Sequence, residues 1–272
     1  MPLVSDSAGS SKDLPEGSYL AQAGEQVHKL AAEAWEHPVL AATVALGVAA
    51  VSAKLGMGVV AERNFARALE IVSRNTLYVE AEAGGLAPDA IYQGTGFIVS
   101  NKGHVATALH VVDGAKEITL FDKAGRHFAA DVVSSDRQHD VALLKFSDRE
   151  RFAQAFKGPV PTLTETPRRW GEASLSLGHQ GSSAEQVRVD GVFRMERRIG
   201  KYEAQHWKKP QTIGARQISL DMPVQPGQSG AALVDRRGGI YGVVIECTEN
   251  LRAANATPIS RIVEMLKSAA KD

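Results

Sequence analysis

Cysteine is nearly absent: Cys247 is the one copy in 272 residues. A single thiol closes no intrachain disulfide and builds no thiolate zinc site, so a disulfide-stapled secreted scaffold is excluded. Net charge is absent too, since 31 Lys and Arg balance 31 Asp and Glu. The clustered cations that hold nucleic acid have no compositional basis, and no nucleic-acid partner is expected. Converging metal ligands are also lacking. The eight histidines are scattered without ligand spacing, so neither metal nor cofactor is expected. Gly94-x-Gly96 lacks the third glycine and the following helix of a dinucleotide loop. A full membrane span is missing in its plain form, because the uncharged run Pro38–Ala53 has 16 residues, below the roughly 20 that cross a bilayer core.

What remains is an ordinary globular composition, 44% hydrophobic and 23% charged. Residues 1–17, rich in Ser, Gly, Asp and Lys, cannot bury enough surface to order themselves and are expected to form a disordered tail. Residues 18–74 are expected to be helical. Leu20, Ala23, Val27, Leu30 and Ala34 recur at spacings of three and four, and Phe65, Leu69 and Val72 mark a second amphipathic helix from Arg63 to Ser73. Between them lies the apolar segment 38–60. It reads either as a buried or partner-binding helix, or as a single membrane anchor in which Lys54 snorkels to the interface.

From Asn75 the texture changes. Short runs such as TLYVEAEA, GTGFIVS, DVALLKF, VRVDGVF and GIYGVVIE alternate with the turn signals NKG, DKAG, HQGSS and RRGG. Many short strands between turns predict an all-β sandwich or paired barrels. A closing helix is expected over Pro258–Lys271, with Ile259, Ile262, Val263 and Leu266 on one face.

Three segments carry chemistry. His110 ends the apolar run TALHVV, Asp140 opens DVALLKF, and Ser229 lies between glycines in PGQSGAALV. A serine hydroxyl is a poor nucleophile unless a base removes its proton, and that base needs a carboxylate to fix its tautomer. His, Asp and Ser in this chain order match double-barrel serine proteases. Glycine beside the serine lets the N–H groups of Gly227 and Ser229 converge on a developing oxyanion. Asp136 and Asp131 are the substitute acids should Asp140 be only a turn residue.

The surrounding strands resemble the HtrA/DegP-like branch of trypsin-like proteases. GTGFIVS with TALHVV, ITLFDKAGRHFAADVVSSDRQHDVALLKF, SLDMPVQPGQSGAALVDRRGGIYGVVIE and TPISRIVEML follow the family's order from about Asn75 to Leu266. The resemblance implies a double six-stranded β-barrel over 75–272, with N-terminal helices and a C-terminal helix. It also implies a serine endopeptidase, a polypeptide substrate and a bacterial envelope location. There are departures. Gln228 stands where the family more often has Asn, and Gly230-Ala231-Ala232 follow the serine in place of Gly-Gly-Pro. KYEAQHWKKPQ (201–211) has no recognised counterpart, and no PDZ domain is expected after the closing helix.

By the same resemblance the substrate pocket is walled by Asp221, Met222, Pro223, Val243, Val244 and Ile245, which predicts small or medium aliphatic side chains at the cleaved position. Gln228 has no charge to pair with a newly cut N-terminus, so control is expected through loop ordering or assembly, including a homo-oligomer. Two rival functions stay open: a catalytically silent protease-fold binding module, and a membrane or effector helix in 18–60 switched by the protease region. Location is open as well. Lys54, Arg63, Arg67 and Arg74 follow the apolar run, which on the positive-inside rule would keep the protease cytoplasmic if the segment spans.

Overall fold

Period-two segments close on themselves twice. The computed structural model describes residues 61–84, 90–166, 168–181, 183–201, 212–247 and 253–270. The expected tail 1–17, the helix from Leu20, the apolar segment 38–60 and nearly all of 201–211 lie outside the described residues. Strands β1 (Thr76–Ala83), β2 (Ile91–Ile98), β3 (His104–Ala108), β4 (Ala115–Phe121), β5 (His127–Asp136) and β6 (Val141–Phe146) form a closed barrel in the order β1-β2-β3-β6-β5-β4. Strands β7 (Ala173–Gln180), β8 (Ser183–Arg198), β9 (Arg216–Asp221), β10 (Ala232–Asp235), β11 (Ile240–Cys247) and β12 (Ala253–Pro258) close the second, ordered β10-β11-β12-β9-β8-β7. Closure leaves no free edge to template aggregation. The expected all-β double six-stranded barrel is therefore the observed fold.

One hydrophobic cluster fills the first barrel with Leu77, Phe97, Leu120, Leu143 and Leu144, and continues onto Leu175, Val234, Ile240 and Val243 of the second. Phe193, Leu220, Met222, Leu233 and Val244 form the second barrel's own core. The first helix among the described residues, α1 (residues 61–75), runs directly into β1. Val72 is fully buried, and Phe65 and Leu69 pack on the first cluster. The helix end is closed by side chains, with Asn75 Nδ2 donating to Ile71 O at 2.8 Å and Thr76 Oγ1 to Val72 O at 2.9 Å. No helix among the described residues is long and apolar enough to cross a membrane.

Three elements differ from the sequence reading. The run through His110 does not continue as strand: β3 stops at Ala108 and a helical turn, α2 (Leu109–Val112), follows. A short helix, α3 (Arg149–Ala155), is capped by Asp148, whose carboxylate accepts from Arg151 N at 2.9 Å. Its Phe152 joins Phe128, Phe146 and Phe156 in a ring cluster at the end of the first barrel. Residues 253–258 form β12, so the closing helix α4 (Ser260–Ala269) starts two residues later than expected, burying Ile262 and Met265.

Candidate active site

The helical turn α2 decides where His110 points. Leu109, Val111 and Val112 are buried, which leaves the imidazole as the exposed side chain of the turn. The ladder pairs Thr107 with Ala142 and Ala108 with Val141, bringing Asp140 level with the turn. Leu109 N then donates to the Asp140 carbonyl at 3.0 Å, ending the strand. The Asp140 carboxylate accepts twice more, from the His110 backbone N at 2.9 Å and from Nδ1 at 2.8 Å. A carboxylate only accepts, so Nδ1 carries the proton and Nε2 is left with a lone pair. Asp140 holds this position at φ 55°, the one non-glycine with positive φ among the described residues. Aspartate tolerates that region better than most side chains, and such strain commonly accompanies functional sites.

The substitute acids are engaged elsewhere. Asp136 receives His139 Nδ1 at 2.8 Å and also the Arg261 guanidinium of α4. Burial alone would raise the Asp136 carboxyl, but its bonds to Arg261 and His139 bring it below the ordinary carboxylate value. It therefore braces the turn that presents Asp140. Asp131 accepts from Ser147 Oγ at 2.7 Å.

Ser229 lies on the loop entering β10. Its neighbours Gly227 and Gly230 sit at φ 94° and 89°, conformations that only glycine adopts without strain. The carbonyl of Pro226 accepts from Gly181 N at 2.8 Å, and that of Gln228 from Ala231 N at 2.9 Å. In a planar trans peptide the N–H points opposite to the carbonyl, so the Gly227 and Ser229 N–H groups face away from these anchors. Neither donates a hydrogen bond among the described residues. The loop is pressed onto the histidine's barrel. Ser229 O accepts from Thr95 N at 2.8 Å, and a Cβ on Gly230 would stand 2.5 Å from Thr107 Oγ1 and 3.0 Å from Ala108 N. A Cβ on Gly94 would meet both Val111 Cγ2 at 2.7 Å and Ser229 O at 2.9 Å. His110 and Ser229 thus occupy adjoining segments, with no hydrogen bond between their side chains in this state. Catalytic hydrogen bonds often tighten only when substrate binds.

The six residues expected to wall a substrate pocket are placed unevenly. Pro223 is exposed, and Asp221 is half-buried with its carboxylate 2.7 Å from Arg194 Nε. Met222 and Val244 lie within the second barrel's core, and Val243 and Ile245 within the shared cluster. The side chains of these four are packed in the cores, whereas Pro223 and Asp221 reach the surface. Alternation in the sequence marks apolar positions but not the side on which a cleft opens.

Sequence reasoning passed over two residues packed behind the serine loop. Thr95 is fully buried between the barrels; its flanking glycines, Gly94 and Gly96, were the available signal. His179 is 1% exposed, its Nδ1 has no hydrogen-bond partner among the described residues, and its ring stands edge-on to Tyr78 at 5.6 Å. Burial pushes His179 down to about 4 and Tyr78 up to about 12. Below pH 6.5 the unfolded chain therefore takes up a proton that folded His179 refuses. Stability is full above that pH and falls as pH drops towards 4, by about 3 kcal/mol at 1.36 kcal/mol per pKa unit. Urea midpoints of the wild type and His179→Gln, measured from pH 7.5 to 4, should diverge in slope across this window. Parallel curves would refute the assignment.

Comparison with known proteins gives the family. The profile described as the trypsin-like peptidase domain matches residues 94–243, a span holding His110, Asp140 and Ser229. The chain belongs to the trypsin-like peptidase family. It is 29% identical over 153 residues to a DegP-like periplasmic serine endoprotease of Halomonas elongata, covering 55% of this chain and 28% of that one. It is 28% identical over 153 residues to the serine endoprotease DegS of Escherichia coli, covering 55% and 38%. These HtrA-type relatives agree with the motif resemblance, although the chain spans only about a quarter to two fifths of the curated relatives' length. The crystal structure of the Rv3671c protease from M. tuberculosis, active form, superposes with a TM-score of 0.61 at 22% identity, over 74% of this chain and 82% of that one.

Proposed function

We propose that this chain is a serine endopeptidase that hydrolyses polypeptides through an acyl-enzyme. The observation that carries the reading is the doubly bonded His110–Asp140 pair beside a serine loop whose two N–H groups are turned away from their anchored carbonyls. Ser229 Oγ attacks the scissile carbonyl carbon while His110 Nε2 takes the hydroxyl proton. The N–H groups of Gly227 and Ser229 hold the tetrahedral oxyanion, each worth about 3 kcal/mol in comparable sites. The C–N bond then breaks as His110 gives its proton to the leaving amine. Water attacks the remaining ester, His110 takes the water proton, and the proton returns to Ser229 Oγ as the acid departs. Asp140 holds the ring in the tautomer that keeps Nε2 basic and stabilises the imidazolium. The apolar character of the expected wall residues Met222, Val243, Val244 and Ile245, with Asp221 engaged by Arg194, supports aliphatic rather than cationic side chains at the cleaved position. Relatives named as periplasmic support an envelope location.

One incubation tests both parts. The purified chain should cut denatured casein after small or medium aliphatic residues, and a fluorophosphonate probe should stop the cutting and appear by mass spectrometry on the peptide bearing Ser229. An adduct confined to another residue, or no cutting and no adduct, overturns the reading. Cuts dominated by Arg or Lys would overturn the stated preference.

A further inference from the structure

The serine loop is held by a residue of the opposite barrel. Thr95, in the middle of β2, is fully buried yet makes four hydrogen bonds, three of them to the second barrel. Its N donates to Ser229 O at 2.8 Å, its Oγ1 donates to Gly227 O at 2.8 Å, and the same oxygen accepts from His179 N at 2.9 Å. Its own carbonyl accepts from Thr107 Oγ1 at 2.7 Å, within the first barrel. The donor roles are fixed. His179 N can only donate, so the single hydroxyl proton of Thr95 belongs to Gly227 O.

Space has been cleared around this side chain. A Cβ on Gly178 would come within 3.0 Å of Thr95 Oγ1, and one on Gly230 within 1.9 Å of Thr95 O. Gly227 itself, at φ 94°, has the most permissive backbone of any residue and no intrinsic reason to stay there. Two bonds supply the reason. The peptide before Gly227 is pinned through Pro226 O to Gly181, and the peptide after it through Gly227 O to Thr95. Together they fix both torsions, and with them the direction of the Gly227 N–H.

We propose that Thr95 is a positioning residue for catalysis, its hydroxyl clamping the Gly227 carbonyl from across the barrel boundary so that the Gly227 N–H stays aimed at the oxyanion. The proposal rests on the endopeptidase reading above. The oxyanion exists only in the transition state, so the clamp should be felt in kcat rather than KM.

Thr95→Val keeps the branched shape and loses the hydroxyl. Its kcat, expressed per fluorophosphonate-titrated site, should fall about tenfold, the scale of one lost hydrogen bond. KM should stay within about twofold, and Thr95→Ser should restore most of the wild-type kcat. Should valine prevent folding, Thr95→Ala removes the same hydroxyl with less crowding. A kcat for Thr95→Val close to the wild type, or an equal loss in Thr95→Ser, overturns the clamp. A second readout needs no activity. In chain labelled with 15N-glycine, the Gly227 amide signal should shift or broaden in Thr95→Val while that of Gly125, in a remote turn, stays put. An unmoved Gly227 signal overturns the clamp by itself, whereas an inert wild type with the shifted signal overturns only the endopeptidase reading.

Discussion

Ser229→Ala lowers kcat on a peptide substrate by about a million-fold and leaves the fold in place. The two halves of this expectation come from different atoms of the same residue. The Ser229 side chain makes no hydrogen bond among the described residues, whereas its carbonyl accepts from Thr95 N. Alanine retains that carbonyl and the half-buried position, so the thermal midpoint should barely move, as for most substitutions that remove no packed contact. Asp140→Asn lowers kcat by about ten-thousand-fold through a different route. The carboxylate now accepts from both the His110 backbone N and Nδ1–H. An amide offers a single acceptor oxygen, which the donor-only backbone N–H requires, so its NH2 would face Nδ1 and favour the tautomer with the proton on Nε2, which is no base. The double variant should be no slower than Ser229→Ala alone, because the histidine has no nucleophile left to serve. Steady-state assays of the three variants, with melting curves beside them, decide it. Residual activity above about one per cent in Ser229→Ala, or strictly additive losses, would mean that another group performs the chemistry.

Why some features were legible and others not follows from the range over which each is determined. His110 and Asp140 sit at the ends of apolar strands that pair with each other, so alternation and chain order place them together. The stop at Ala108 was not legible. Leu109, Val111 and Val112 continue the apolar texture, and what ends the strand is a bond from Leu109 N to Asp140 O, 31 residues away. Strand β12 escaped because Ala253, Ala254 and Ala256 carry little intrinsic strand preference. Its pairing with β9 and β11 is imposed by barrel closure, which no local pattern announces. Short α3 was hidden for a similar reason, since Phe152 is placed by its ring contacts with Phe146 and Phe156. Thr95 is the extreme case. Three of its four bonds reach residues 84 to 134 positions away, so its sequence neighbourhood shows only two glycines that allow close approach. The substrate wall depends on loops as much as strands, and residues 202–211 and 248–252 lie outside the described residues.

Gly230→Ala should cost more than about 4 kcal/mol, the range reserved for severe backbone or core conflicts. The glycine has φ 89°, where an L side chain costs roughly 1–2 kcal/mol by itself. The larger cost is steric. An added Cβ would fall 1.9 Å from Thr95 O, 2.5 Å from Thr107 Oγ1 and 3.0 Å from Ala108 N. None of these can rotate aside as the tip of a flexible chain could, because two are backbone atoms of β2 and β3 and the hydroxyl is already committed to Thr95 O. Relief requires the serine loop to lift from the first barrel, which breaks the Ser229 O–Thr95 N bond and pulls Gly230 N from Val244 O. Gly125→Ala is the matching control. Its φ is 75°, but a Cβ there meets nothing within 4 Å, so only the conformational cost applies. Urea unfolding of the two variants should separate them by several kcal/mol, with Gly230→Ala unfolded or inactive near neutral pH and Gly125→Ala close to wild type. Equal midpoints would mean that the barrels are not pressed together at this glycine. In that case the serine loop would be held by its bonds within the second barrel, Gly181 N to Pro226 O and Gly230 N to Val244 O, and the conformation of Gly227 would need its cause there.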